Sequence, residues 1–378
     1  MVVKTPPMGF NTWNTFAKDI SDQLMRETVD KMAELGFKDY GYEYIVIDDC
    51  WQEKQRDENG RLVPDREKFP NGIKVVADYV HSKGFKFGIY SCVGSLTCTA
   101  YPGSLEHEFI DAQTFAEWGV DYLKLDYCFK PNTEQGDLLY KRMALALANC
   151  GRDILFSACN WGADDSVRWI KETGAHMWRS GPDIKENWES VKSIYQRQFD
   201  LLPYCSPACF NDMDMLIVGM NGKGAQSLGG CTMEEYRTHF SMWSMFASPL
   251  MIGCDARSVD EESYAIMTNK DIIAINQDEA CWQPYKVEGT GCSSSYADIW
   301  VRHLANGDIA IGMFNLQDGG TRGFLPFTSI GLNRSCNRGL QLKDLWTGED
   351  LGTFEDYFLS DWIPAHGCKM FRTKVVEL

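Results

Sequence analysis

The sequence predicts an α/β protein, a (β/α)8 TIM barrel followed by a C-terminal antiparallel β-sandwich domain, and three observations carry that expectation. The chain has 378 residues, which at roughly 100 to 200 residues per domain means two or three domains. From Met8 to about Ile275, short β-prone runs alternate with amphipathic stretches, as repeated βα units around a parallel sheet require. After Gln277 the rhythm changes to short alternating runs separated by Gly, Asn and Asp, the pattern of antiparallel strands. Domains are therefore expected at 1–280 and 281–378.

Eight strands are expected to begin near Phe10, Tyr44, Lys86, Tyr122, Ile154, His176, Cys209 and Leu250. Between the first two, Ser21 is a plausible N-cap, Leu24, Val29, Met32 and Leu35 approximate a helical stripe, and Gly36 is a stop. The same grammar recurs at 72–84, 109–119, 135–151 and 164–174, and eight such units fill the ~250 residues usual for a TIM barrel. In the second domain, strands are expected at 299–303, 308–315 and 369–375, with 289–295 read as a hairpin loop.

Hydrophobic residues make up 44% and charged residues 24%, which fits a packed globular chain rather than a disordered one. The formal net charge of −16 repels phosphate backbones and anionic lipid surfaces, so neither nucleic acid nor membrane is an expected partner and a neutral ligand fits better. No stretch reaches the ~18 apolar residues a bilayer span needs; the richest, 240–253, is broken by Ser and Pro. The opening Met-Val-Val-Lys-Thr-Pro-Pro has no apolar leader core, so a cytoplasmic location is expected, with secretion the alternative if a leader precedes it. Fourteen scattered cysteines without a C-x-x-C pair read mostly as buried thiols.

A Walker A loop, G-x-G-x-x-G, G-x-S-x-G and H-E-x-x-H are all absent from the sequence. What the strand ends offer is carboxylates: Asp48 and Asp49 after strand two, Asp126 after strand four, Asp183 after strand six, Asp212 and Asp214 after strand seven. In a barrel these meet on the C-terminal rim, where catalytic sites are built. Lys124 lies two residues before Asp126 and so shares its face, and Arg179 precedes Asp183. Acids interleaved with Trp13, Trp51, Tyr90, Trp161 and Trp178 describe a sugar site, in which carboxylates grip hydroxyls and aromatic faces cover the ring. Two acids then suffice for glycoside hydrolysis. Asp126 is expected to stay ionised beside Lys124, while Arg179 opposes the raised pKa that an acid catalyst at Asp183 wants.

Four motifs sharpen this reading: Pro-Pro-Met-Gly-Phe-Asn-Thr-Trp-Asn at 6–14, Ile-Asp-Asp-Cys-Trp at 47–51, Leu-Lys-Leu-Asp-Tyr-Cys at 123–128 and Asn-Asp-Met-Asp-Met-Leu at 211–216. In this order they resemble glycoside hydrolase family 27, the retaining α-galactosidases and α-N-acetylgalactosaminidases, across nearly the whole chain. The resemblance implies Asp126 at the nucleophile position and Asp183 at the acid/base position, with no cofactor and no metal. It also implies a galactose pocket of Trp13, Asp48, Asp49, Tyr90, Lys124, Arg179, Asp214 and Met215, and a Cys98–Cys128 bridge at its edge. Asn160 stands where galactosidase relatives usually carry Glu; it is expected, with Arg179, at the 2-position of the sugar, and Trp161 leaves no room there for an N-acetyl group. Ala175 replaces the family's partner for Cys159, and Met213 replaces a common Pro.

The expected activity is retaining, exo-acting release of terminal α-D-galactose from a small-molecule or oligosaccharide substrate. The alternatives are β-L-arabinopyranosidase or α-N-acetylgalactosaminidase on the same scaffold, a Schiff-base aldolase using Lys124, an inactive carbohydrate-binding protein, and a metal-dependent isomerase. Leaving-group preference and oligomeric state are not fixed by the sequence.

Overall fold

The structure is a computed structural model, and it describes residues 3–287 and 296–378. The loop expected at 289–295 lies outside the described residues. Eight parallel strands form the first unit: β1 (Met8–Asn11), β2 (Tyr44–Val46), β3 (Lys86–Cys92), β4 (Tyr122–Asp126), β5 (Leu155–Cys159), β6 (Met177–Arg179), β7 (Phe210–Asp212) and β8 (Leu250–Ile252). They pair in the order β7-β6-β5-β4-β3-β2-β1-β8. A parallel bridge between Leu216, just beyond β7, and Ile252 of β8 brings the two ends of the sheet together. Their beginnings fall where the sequence placed them, because each strand is a short apolar run between turn residues.

Alternation along each strand divides the core in two. In β4, Leu123 and Leu125 face outward into the layer shared with the helices, whereas Tyr122 joins Tyr44, Val46, Leu155, Met177, Phe210 and Met251 in the barrel interior. Lys124 and Asp126 continue the inward series toward the C-terminal rim.

The helices are α1 (Trp13–Phe16), α2 (Asp22–Glu34), α3 (Ile73–Ser82), α4 (Glu108–Trp118), α5 (Gly136–Ala148), α6 (Trp188–Arg197), α7 (Met233–Met245), α8 (Glu261–Met267) and α9 (Lys270–Asn276). Ser21 caps α2 by accepting the Leu24 N–H at 3.1 Å. Thr232 and Glu235 form a reciprocal capping box on α7. One expected helix is absent: 164–174 consists of two 3-10 turns, Ala163–Arg168 and Ile170–Thr173. Asp164 and Asp165 take left-handed φ values of 56° and 51°, and two consecutive residues in that region break an α-helix before it can propagate.

The second unit is antiparallel. Its strands are β9 (Tyr285–Lys286), β10 (Asp298–His303), β11 (Ile309–Phe314), β12 (Phe324–Pro326), β13 (Arg338–Asp344), β14 (Asp350–Phe354), β15 (Tyr357–Leu359) and β16 (Cys368–Glu377). Six form a sheet in the order β14-β13-β16-β11-β10-β9, and β12 pairs with β15 as a ribbon. Ile299, Val301, Ile311, Leu325, Leu342 and Phe358 fill the space between sheet and ribbon. The residues of opposite parity, Trp300, Ala310, Phe314 and Met370, belong to the same apolar cluster as the barrel's outer layer. The central strands β10 and β11 are thus buried on both faces, one of them against the barrel, while β14 at the edge is exposed.

Candidate active site

The acids after β2 are fully buried and fully engaged. Asp48 Oδ2 accepts from Asn11 Nδ2 and from Lys124 Nζ, each at 2.8 Å, while its Oδ1 accepts the Asp49 N–H at 2.9 Å. Asp49 Oδ2 accepts both the backbone N–H (3.1 Å) and the hydroxyl (2.7 Å) of Thr99, from the loop after β3. Burial pushes the Asp49 carboxyl above its ordinary pKa, against the pull of Thr99. The ammonium of Lys124 is also buried, which by itself would favour the amine, yet Asp48, Cys159 and Asp126 together hold its pKa well above the ordinary lysine value. It is a fixed cation.

Asp126 ends β4 with only 6% of its surface exposed. Its Oδ2 accepts the Tyr90 hydroxyl at 3.0 Å and its Oδ1 accepts the Tyr127 N–H at 2.9 Å. The sequence suggested that Lys124 would hold its pKa low. Instead burial dominates and raises it to about 6, with Lys124, the Tyr127 N–H and Tyr90 only opposing the rise. The physical reason is that the direct ion pair of Lys124 is with Asp48, from the strand on the far side of β3, at 2.8 Å. The disulfide between Cys98 and Cys128, with Cα atoms 5.2 Å apart, ties the loops after β3 and β4 together. Its two sulfurs and an Asp126 carboxylate oxygen lie within 4.8 Å of one another.

On the far side of the site, one guanidinium serves two acids. Arg179 Nη2, at the end of β6, lies 2.5 Å from Asp183 Oδ1 and 2.6 Å from Asp214 Oδ2. Asp214 is buried, accepts the Ile184 N–H at 2.7 Å, and is pushed by burial up to about 6. Asp183 differs: its side chain is 49% exposed. Desolvation raises its pKa, but the attraction of Arg179 and Lys124 outweighs that and holds it below the usual carboxylate range. Because Lys124 acts on both Asp126 and Asp183, the two carboxylates face a common cation.

Several expected residues sit at this rim. Trp13 packs half-buried on the interior cluster that includes Met215, and Trp161 is half-buried with its edge toward Tyr127. The chain turns sharply there: Cys50, Trp161 and Asp214 have φ values of 73°, 56° and 81°, conformations that non-glycine residues adopt at a cost typical of functional sites. Others lie deeper than a pocket wall. Asn160 is fully buried; its Nδ2 donates to the Ala163 carbonyl at 2.9 Å, and its Oδ1 has no partner among the described residues. Trp51 and Trp178 are fully buried in the outer core: Trp51, in the loop after β2, packs on Phe115 and Trp118 of α4, and the strand parity of Trp178 in β6 points it at the helices. Cys159, without its family partner, is a buried free thiol, 3.8 Å from Arg179 Nη1.

Three residues that hold the acids were not singled out from the sequence: Asn11, Thr12, whose hydroxyl accepts the Asp48 N–H at 3.0 Å, and Thr99. Asn11 carried a usable signal, since it stands two residues before Trp13 at the end of the first strand. Thr99 carried none beyond its place beside Cys98.

Comparison with known proteins agrees with this geometry. Residues 5–278 match the family model described as α-galactosidase A, and residues 294–373 match that of the α-galactosidase C-terminal β-sandwich domain. The α-galactosidase of Cyamopsis tetragonoloba is 41% identical over 371 residues, covering 97% of this chain and 86% of the relative. α-Galactosidase 2 of Arabidopsis thaliana is likewise 41% identical, over 97% of this chain and 89% of its own. Among solved structures, α-galactosidase I of Mortierella vinacea superposes with a TM-score of 0.90 at 32% identity, covering 98% and 97% of the two chains. The Saccharomyces cerevisiae α-galactosidase with raffinose gives 0.89 at 30% identity, over 99% and 98%. With both units matched and the acids of the barrel rim gathered into one site, the chain belongs to the α-galactosidases of glycoside hydrolase family 27.

Proposed function

We propose that this chain is a retaining, exo-acting α-D-galactosidase with Asp126 as nucleophile and Asp183 as acid/base. One contrast supports the assignment above all: Asp126 is buried and gripped by two donors, whereas Asp183 reaches solvent from a single guanidinium. A nucleophile must be held still under the anomeric carbon; a proton carrier must reach a leaving group and then a water. Asp126 attacks C1 as Asp183 donates its proton to the glycosidic oxygen, giving a covalent glycosyl-enzyme and the free aglycone. Asp183, now the base, takes a proton from water, which displaces Asp126 and returns galactose with its configuration retained.

For the sugar, Asp48 and Asp49 take the 4- and 6-hydroxyls, Lys124 the 3- and 4-hydroxyls, and Asn160 with Arg179 the 2-position, with Trp13 against the ring. Substrates are galactose-terminated oligosaccharides, the class to which the raffinose held by the yeast relative belongs. Catalysis is assigned to residues 1–280, and 281–378 form the appended β-domain. A Schiff-base role for Lys124 is disfavoured because its ion pair with Asp48 keeps it an ammonium.

The test is a nitrophenyl glycoside panel. The α-galactoside should exceed the α-N-acetylgalactosaminide in kcat/KM by at least tenfold, on the order of 1.4 kcal/mol, and the β-L-arabinopyranoside should fall below it. Asp126→Asn should abolish turnover with the fold intact, and azide should rescue Asp126→Gly with inverted product. Parity between the sugars, or wild-type-like turnover in Asp126→Asn, would refute the reading.

A further inference from the structure

A second groove, sharing no residue with the catalytic rim, lies where α7 and α8 meet the loops of the β-domain. Its volume is about 540 Å³, and it is lined by Trp346 and Trp362 among others. Trp362 is 62% exposed. Its indole lies on bare backbone: a Cβ added at Gly320 would overlap Nε1, Cε2 and Cζ2 of that ring. Gly320 has no positive φ, so what this position requires of glycine is room for the indole. One side of the ring is therefore seated and the other is offered to solvent. Trp346 is held firmly as well, its Nε1 donating to Ser241 Oγ at 3.1 Å, with the Arg237 guanidinium 5.5 Å from its ring centre.

The charges of the groove are already matched to one another. Arg237 pairs with Glu234 and reaches Glu262 at 3.8 Å, and Lys369 lies 3.7 Å from Asp344. Among the described residues that line the groove, no lone charge is left to recruit an ion. Paired carboxylates and cations still present many hydrogen-bonding atoms, and beside rigid flat rings that combination suits a neutral polyhydroxylated chain. An aromatic platform covers the apolar face of a pyranose while the rim of polar atoms takes its hydroxyls. We propose that this groove binds carbohydrate, namely the neutral backbone of a galactose-bearing polysaccharide, and so holds the enzyme on polymeric substrate. The identity of the chain as galactose-bearing rests on the galactosidase reading.

The test is native electrophoresis through gels containing galactomannan, run on Asp126→Asn protein so that the polymer survives. Retardation is expected, with a dissociation constant at least tenfold weaker when Trp362→Ala is added, and Trp362→Phe should keep most of the binding. In the active background, Trp362→Ala should hydrolyse nitrophenyl α-galactoside within twofold of wild type. Equal retardation with and without Trp362, or none in the Asp126→Asn protein, overturns the proposal. So does a loss of retardation that sedimentation traces to a dimer falling to monomer, which would make the groove a self-interface. Failure of the wild type to cleave the nitrophenyl galactoside would defeat the galactosidase reading alone, since Trp362-dependent retardation would still stand.

Discussion

Tyr90→Phe should change activity by a factor that depends on pH in a specific way. The productive free site carries a proton on Asp183 and none on Asp126. Local electrostatics favour the reverse, with Asp126 near 6 and Asp183 below the usual carboxylate range. The alkaline limb of kcat/KM therefore falls near pH 6, set by Asp126, and only a minor fraction of singly protonated enzyme has its proton on Asp183. The Tyr90 hydroxyl donates to Asp126 Oδ2 at 3.0 Å, and Tyr90 is almost fully buried, so water does not replace it. A hydrogen bond to a charged group is worth about 1.5–3 kcal/mol; Tyr127 and Lys124 remain, so the low end applies. At 1.36 kcal/mol per pKa unit, the Asp126 carboxyl rises by about one unit. On the plateau below pH 6 the productive fraction then drops about tenfold, because it varies with the difference of the two pKa values. Well above pH 7 the loss should vanish, since the productive form there competes with the doubly ionised one, and that competition depends on Asp183 alone. The alkaline midpoint moves from about 6 to about 7. Profiles of kcat/KM on nitrophenyl α-galactoside measure this. A loss of the same size at every pH, with the midpoint unmoved, would refute the reasoning.

Other outcomes follow from single contacts. Asp183→Ala should slow substrates with poor leaving groups by several orders of magnitude more than activated aryl galactosides, and equal losses across a leaving-group series would remove the acid role. Thr99→Val removes the hydroxyl donor to Asp49 and should raise KM with kcat little changed, by about 1–3 kcal/mol of binding; Thr99→Ser should restore it. In Gly94→Ala the new Cβ would overlap backbone of Cys128 and Phe129. The loops after β3 and β4 must separate, at a cost of about 1–3 kcal/mol in denaturant titrations, and an unchanged midpoint would show that they yield freely.

What was legible in the sequence is what local chemistry decides. The eight strand starts, the cap at Ser21 and the change to antiparallel pairing all follow from runs of apolar residues and the breakers between them. The inward turn of Lys124 and Asp126 followed from the two-residue period. Which acid Lys124 would meet did not, because Asp48 follows β2, two strands away across β3, and the pairing and curl of the sheet set the 2.8 Å contact. The burial that raises Asp126 is likewise a property of the assembled site. Residues 164–174 have the composition of a helix, yet the left-handed pair Asp164–Asp165 ends it, while the Tyr127 hydroxyl, 2.5 Å from Asp164 Oδ2, anchors that turn to the loop after β4. The bond from Asn160 Nδ2 to the Ala163 carbonyl is part of the same local turn and equally depends on that left-handed stretch.

A barrel made of staves is only as sound as the joint between first and last. Here that joint is narrow: beyond β7, Leu216 donates to the Met251 carbonyl at 2.7 Å and accepts from the Gly253 N–H at 3.0 Å, whereas β3 and β4 run together over five residue pairs. Asp214 and Met215 stand immediately beside that joint. The helix that follows it in the chain toward β8 is α7, and the β-domain grips α7 as well as α6, through Tyr195, and α9, through Asp271. Arg302 donates to the carbonyls of Ser244 and Met245, Trp346 to the Ser241 hydroxyl, and Cys368 to the same hydroxyl. The appended domain is placed as a hoop is, over the helix that bridges this narrow stave joint, and the joint lies beside Asp214 and Met215 on the guanidinium-held side of the pocket.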